Sequence, residues 1–292
     1  MNYSLVSFVS AIPCKGLVRV VGFLLAVVFS LAPQLCRADL PVVGDWSDII
    51  WWGGNSYIHR SMSFHPSSSY LAASLSFLEF TELVEIKDSI KVKKTYPGDM
   101  PTFTRSGKYL GYVCKVSVDE YEVRILDFEA DTIVFRKKVR QILDYNPSFA
   151  ITSDEEIVAV GWGNRIDLHR ISTGEIVKSK TPLVPNPTGR PTSITYLKFI
   201  PNQKKIFFEF YVSFIDSKKS YIWDLESDKI TETNWKAPIA ISYDEKYLAY
   251  TGGAGRIATV IDLTTGEEVG FVPSHPKVQY IDDLALSPDR RY

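Results

Sequence analysis

The 292-residue chain carries 33 basic and 34 acidic side chains, a formal charge of −1, and is 45% hydrophobic and 13% aromatic. That balance excludes a disordered chain and leaves no basic footprint for nucleic acid. Tyr and Phe, 16 of each, favour strands, and the length accommodates one large repeat domain.

Met1 to Ala38 reads as an export signal. Lys15 and Arg19 form the positive flank, Val20 to Ala32 the apolar core, and Cys36-Arg37-Ala38 ends in the small residue a signal peptidase needs. The core is 13 residues long, short of the roughly 20 of a membrane span. Cleavage after Ala38 is therefore expected, leaving no membrane span and placing the mature chain in the periplasm or outside the cell. An uncleaved signal anchor is the alternative. Loss of Lys15, Arg19 and Arg37 leaves the mature chain at −4. Cys14 and Cys36 leave with the signal, so Cys114 stands alone and no intramolecular disulfide can form. Its apolar surroundings suit a buried small hydrophobe.

Residues 39–58, with Trp46, Trp51 and Trp52, form an N-terminal segment in which Asp48-Ile49-Ile50-Trp51-Trp52 suits a closing strand. From residue 59 to 292 a unit of four short strands recurs. Its clearest copy is Ile239 to Phe271, with strands at Ile239–Ser242, Tyr247–Thr251, Ala258–Leu263 and Glu268–Val272 separated by Asp- and Gly-bearing turns. The first turns begin at Phe64, Phe103, Ile151, Phe199, Ile241 and Leu286, at steps of 39, 48, 48, 42 and 45 residues. Third strands and their turns recur too, as Leu126-Asp127, Trp223-Asp224 and Leu263 after Asp262, with Ile171-Ser172-Thr173-Gly174 in between. One four-stranded meander cannot hide its apolar faces alone, and a period of roughly 40–50 residues points to a β-propeller. The fold expected is all-β, with five complete blades plus the start of a sixth at Leu284 to Tyr292. A ring stopped there leaves a strand edge open, so truncation and self-association through that edge are expected.

Trp223-Asp224 and Ser287-Pro288-Asp289 resemble the signature turns of the WD-repeat family, and the extracytoplasmic bacterial WD-like propellers fit as well. The glycine–histidine pair that opens many units of that family is absent. The resemblance implies a non-catalytic scaffold for protein–protein contacts. It also keeps open a propeller portion of an extracytoplasmic enzyme, of the serine peptidase or quinoprotein dehydrogenase type.

In a propeller the loops from second to third strand and the links between blades emerge on one face. Here those segments carry Trp162, Arg165, Arg190, Trp235 and Arg256, a candidate partner-binding rim rich in the residue types of interface hot spots. The partner itself is not specified. There is no Gly-x-Ser-x-Gly elbow, no His-Glu-x-x-His, no phosphate-binding Gly-Lys-Ser/Thr loop and no metal-spaced Cys/His cluster. Gly252-Gly253-Ala254-Gly255 joins two strands, where a phosphate site needs a helix N-terminus. No catalytic residue, cofactor or metal is expected.

Overall fold

A computed structural model describes residues 60–273, except 68, 76–79, 87–89, 141–145, 182–191, 202–203, 213–216, 243 and 252–255, and also residue 284. The expected export signal, the expected closing strand at Asp48 to Trp52, Arg190 and the Ser287-Pro288-Asp289 turn of the expected sixth unit lie outside the described residues. Among those described, every regular element is a β-strand.

Five four-stranded antiparallel sheets follow in chain order. Blade 1 is β1 (Arg60–Phe64), β2 (Tyr70–Leu75), β3 (Phe80–Ile86) and β4 (Ile90–Pro97). Blade 2 is β5 (Asp99–Phe103), β6 (Tyr109–Lys115), β7 (Glu120–Asp127) and β8 (Thr132–Arg140). Blade 3 is β9 (Ser148–Ile151), β10 (Ile157–Trp162), β11 (Arg165–Arg170) and β12 (Ile176–Lys180). Blade 4 is β13 (Thr192–Ile200), β14 (Lys205–Val212), β15 (Ser217–Asp224) and β16 (Ile230–Thr233). Blade 5 is β17 (Lys236–Ile241), β18 (Tyr247–Thr251), β19 (Arg256–Asp262) and β20 (Glu268–Pro273). Each blade pairs its strands strictly in sequence, and the first strands β1 and β5, β9 and β13, and β13 and β17 pack against one another. The described residues form a β-propeller of five blades.

Burial explains the sequence pattern strand by strand. Second strands such as β10, Ile-Val-Ala-Val-Gly-Trp, are buried on both faces and read as apolar runs. Outer strands such as β8 alternate buried and exposed. Blades 1 and 2 are joined almost without a link: Tyr96 to Pro101 belongs to β4 and β5 except for Gly98.

Two turns recur with one chemistry each. In the first, the N–H of Lys108, Glu156 and Lys246 is accepted by the side chain two residues earlier, Ser106 Oγ at 3.0 Å, Asp154 Oδ1 at 3.0 Å and Asp244 Oδ1 at 3.3 Å. Between donor and acceptor sits a left-handed residue: Gly107, Glu155 or Glu245. In the second, the carboxylates of Asp127, Asp224 and Asp262 accept N–H groups two to three residues on. The left-handed place is taken by Asp131, Gly174, Asp228 and Gly266.

Blades lean on one another by volume complementarity. A small residue in the second strand, Ala72, Gly111 or Ala159, leaves room for the first strand of the next blade. A Cβ on Gly111 would lie 2.4 Å from Phe149, and one on Gly161 2.8 Å from Ile194 and Leu197. Blade 4 has Phe207 at the small residue's place, and blade 5 answers with Ile239 in the same core. Two seams are also clamped electrostatically. Asp131 reaches back to Lys94 and to the Tyr96 hydroxyl of blade 1, and Asp228 to Lys180 and Lys178 of blade 3. Blades 3 and 5 have Gly174 and Gly266 there, which offer no side chain for such a clamp. A further ion pair, Arg105 Nη1 to Glu245 Oε1 at 2.7 Å, joins the first turns of blades 2 and 5.

Register shifts leave Val134, Val177 and Val269 unpaired at one repeat position in outer strands, each well exposed. Such bulges twist a strand edge away from further pairing.

Candidate functional site

The loops between second and third strands and the links between blades emerge at one end of the ring. Trp162 closes β10 and faces Arg165, the first residue of β11, across a two-residue hairpin loop with Gly163 at φ +52°. Trp162 is half-buried against the core shared by blades 2 and 3, and its Nε1 is sealed from solvent without a partner.

Arg165 is held in place. Its Nε donates to Asp167 Oδ1 at 2.6 Å and its Nη2 to Ser179 Oγ at 3.2 Å, while the Ser179 hydroxyl donates to the same Asp167 oxygen at 2.6 Å. Burial alone would raise the Asp167 carboxyl, but the hydrogen bonds from Ser179 and Arg165 outweigh it and hold the group below the usual carboxylate range. The guanidinium has five donors, and the side chain is 44% exposed. It is therefore a pre-oriented donor at the rim. The arrangement recurs with the charges exchanged in blade 2, where Arg124 Nε donates to buried Glu122 at 2.5 Å.

Trp235 sits in the link between β16 and β17 and is not presented outward. Its ring stacks on Phe207 (6.4 Å, 29°) and on Tyr250 (5.7 Å, 23°), joining blades 4 and 5. Arg256 opens β19 opposite Pro273. The β6–β7 loop at the same end exposes Val116 and, at 81%, Val118. The sequence places both valines in a loop between second and third strands, but residue type does not mark them for the rim, and only their exposure in the structure does.

Of the histidines, His169 is buried between blades 2 and 3, 5.5 Å from the Phe135 ring. Its Nδ1 lies 3.0 Å from Gly174 O, a carbonyl, so that nitrogen carries the proton, and Nε2 has no partner. Burial pulls its pKa down, keeping the ring neutral. His65 is wedged among Tyr70, Phe103 and Phe128. Cys114 is buried in β6. Among the described residues no group of three or more His, Cys, Asp or Glu side chains could hold a metal ion, and no helix is long and apolar enough to cross a membrane.

No protein-family model matches the chain, and no curated protein sequence does. Among solved structures 875 chains match, a breadth at which the fold by itself selects no activity. One is a chain of Kuenenia stuttgartiensis hydrazine synthase, similar over 79% of this chain and 78% of that one, with a TM-score of 0.55 and 15% identity. The likeness is one of fold: the protein is of the β-propeller class.

Proposed function

We propose that this chain is a non-catalytic scaffold of the extracytoplasmic WD-like type, which binds a protein partner through the end of the ring that carries the β6–β7 and β10–β11 loops. The observation that carries this reading is the presence at that end of both an exposed apolar tip, Val118, and a guanidinium already oriented by Asp167 and Ser179. An exposed apolar side chain gains by desolvation, and a tethered arginine loses little entropy on docking. Export by the N-terminal segment sets the compartment, and N-terminal sequencing of the mature chain should begin at Asp39. A photo-crosslinking residue at position 118, used in the native host, should trap one defined partner, and Arg165→Glu should weaken its capture at least tenfold. Crosslinks that are absent or unchanged by Arg165→Glu reject the reading.

A second reading makes this propeller one part of an extracytoplasmic enzyme. In its favour, one of the similar chains belongs to an enzyme, hydrazine synthase. Peptidase and quinone-dependent dehydrogenase assays on the complete natural gene product separate the two.

A further inference from the structure

At the same end of the ring, the entry to β5 holds a carboxylate of which the fold uses one oxygen and the proposed scaffold role neither. Asp99 is 7% exposed. Ser74 Oγ donates to its Oδ1 at 2.5 Å, and the backbone N–H of Met100 donates to the same oxygen at 2.6 Å. Among the described residues both of these hydrogen bonds fall on Oδ1 and none falls on Oδ2. Among the described residues no lysine or arginine pairs with the group. A carboxylate largely removed from water without a counter-cation is costly to keep.

The backbone on either side is strained to hold it. Gly98 has φ +133°, and a Cβ there would lie 2.4 Å from Val113 O and 2.9 Å from the Tyr112 ring. Only glycine can pass. Met100, a non-glycine, sits at φ +56°. Thr81 Oγ1 donates to Gly98 O at 2.9 Å and fixes the carbonyl that precedes Asp99. Strain over-determined in this way is a mark of a positioned group rather than of a loose connection. The strained residues flank the one carboxylate, and all the restraint falls on Oδ1.

We propose that Asp99 Oδ2 is the acceptor of a cation-binding subsite in the seam between blades 1 and 2, taking an ammonium or guanidinium group. A single free carboxylate oxygen, with one hydroxyl and one amide committed to its neighbour, supplies too few oxygens for a divalent metal ion. It suits an organic cation, which needs one charged acceptor and brings its own donors. The site does not depend on the partner-binding rim, and neither Val118 nor Arg165 contributes to it.

Methylguanidinium chloride titrated into the 15N-labelled chain should shift the Met100 and Ser74 amide resonances saturably. Its neutral isostere methylurea, and KCl at matched ionic strength, should not. Asp99→Asn keeps an oxygen for Ser74 and Met100 but removes the charge, and should weaken binding at least tenfold. Should that variant not fold, the comparison of methylguanidinium with methylurea on the natural protein decides alone. A five-residue peptide with a central arginine distinguishes the source of the cation: affinity tenfold or more above methylguanidinium assigns the site to a partner's side chain, and equal affinity to a free small cation. Absence of saturation, equal response to methylurea, or unchanged binding in a folded Asp99→Asn overturns the proposal.

Discussion

Gly111→Ala isolates the packing of one blade on the next. The Gly111 backbone is ordinary, so alanine meets no conformational penalty there. Its Cβ, however, would stand 2.4 and 2.8 Å from two ring atoms of Phe149 and 3.2 Å from Ile125 Cδ1. Carbon atoms sit comfortably at about 3.5–4.0 Å, so the ring must retreat by roughly 1 Å within a core that has no spare room. Overpacking of this kind costs about 1–3 kcal/mol. Restricting the unfolded chain returns about 0.4–1 kcal/mol, so the net loss spans about 0–2.6 kcal/mol and centres on about 1.3 kcal/mol. Phe149→Leu removes the ring edge and by itself should cost about 1 kcal/mol. In the double variant the added methyl occupies the vacated space, so the two losses should fall short of additivity by at least about 1 kcal/mol. Urea unfolding followed by tryptophan fluorescence measures all four proteins, with the m-value checked for constancy. Additivity within about 0.5 kcal/mol would mean that β6 and β9 do not press on each other, and the radial arrangement of blades 2 and 3 would be wrong.

Gly174→Ala and Gly107→Ala separate backbone strain from crowding. Gly174 has φ +73° with nothing within 4 Å of an added Cβ, so alanine should cost about 1 kcal/mol. Gly107 has φ +81°, and its Cβ would meet the His65 ring at 2.1 Å. That ring is held by Phe103 and Phe128, so the loss should exceed about 2 kcal/mol; equal thermal shifts for the two variants would contradict this. Asp228 tests the clamp between blades 3 and 4. Hydrogen bonds from Lys180, then Trp223 and Lys178, bring its pKa down to about 2. A depressed carboxylate stabilises fully above its unfolded pKa near 4, and that contribution is lost as the pH falls toward about 2. The gap in urea midpoint between the natural protein and Asp228→Asn should therefore be steady above pH 5 and close between roughly pH 4 and 2. A gap that stays constant through that window rules the clamp out.

The rim shows how far residue type alone can go. Trp162, Arg165 and Trp235 do lie at the end of the ring where their loops emerge, because strand order fixes which end a loop leaves from. Their roles differ for reasons no loop sequence contains. Trp235 is taken up by Phe207, 28 positions away in sequence, and by Tyr250. Arg165 is oriented by Asp167, a local Arg-x-Asp alternation that could have been read from the sequence, since residues two apart on a strand share a face. Asp99 carries no signal in the sequence, standing at the junction of two blades with no motif around it.

What the sequence by itself determined is the blade: period-two alternation, turn residues at constant offsets, and a repeat that forces each meander to seek a neighbour. These are local properties, carried by backbone preference and by the spacing of apolar side chains. Only the tertiary structure decided how blades meet: Phe149 into the space left by Gly111, Asp228 onto the lysines of β12, Arg105 joined to Glu245, and the bulges at Val134, Val177 and Val269. Each of these depends on which residues from distant or paired segments come to share one volume, and that is settled by packing, after the strands have formed.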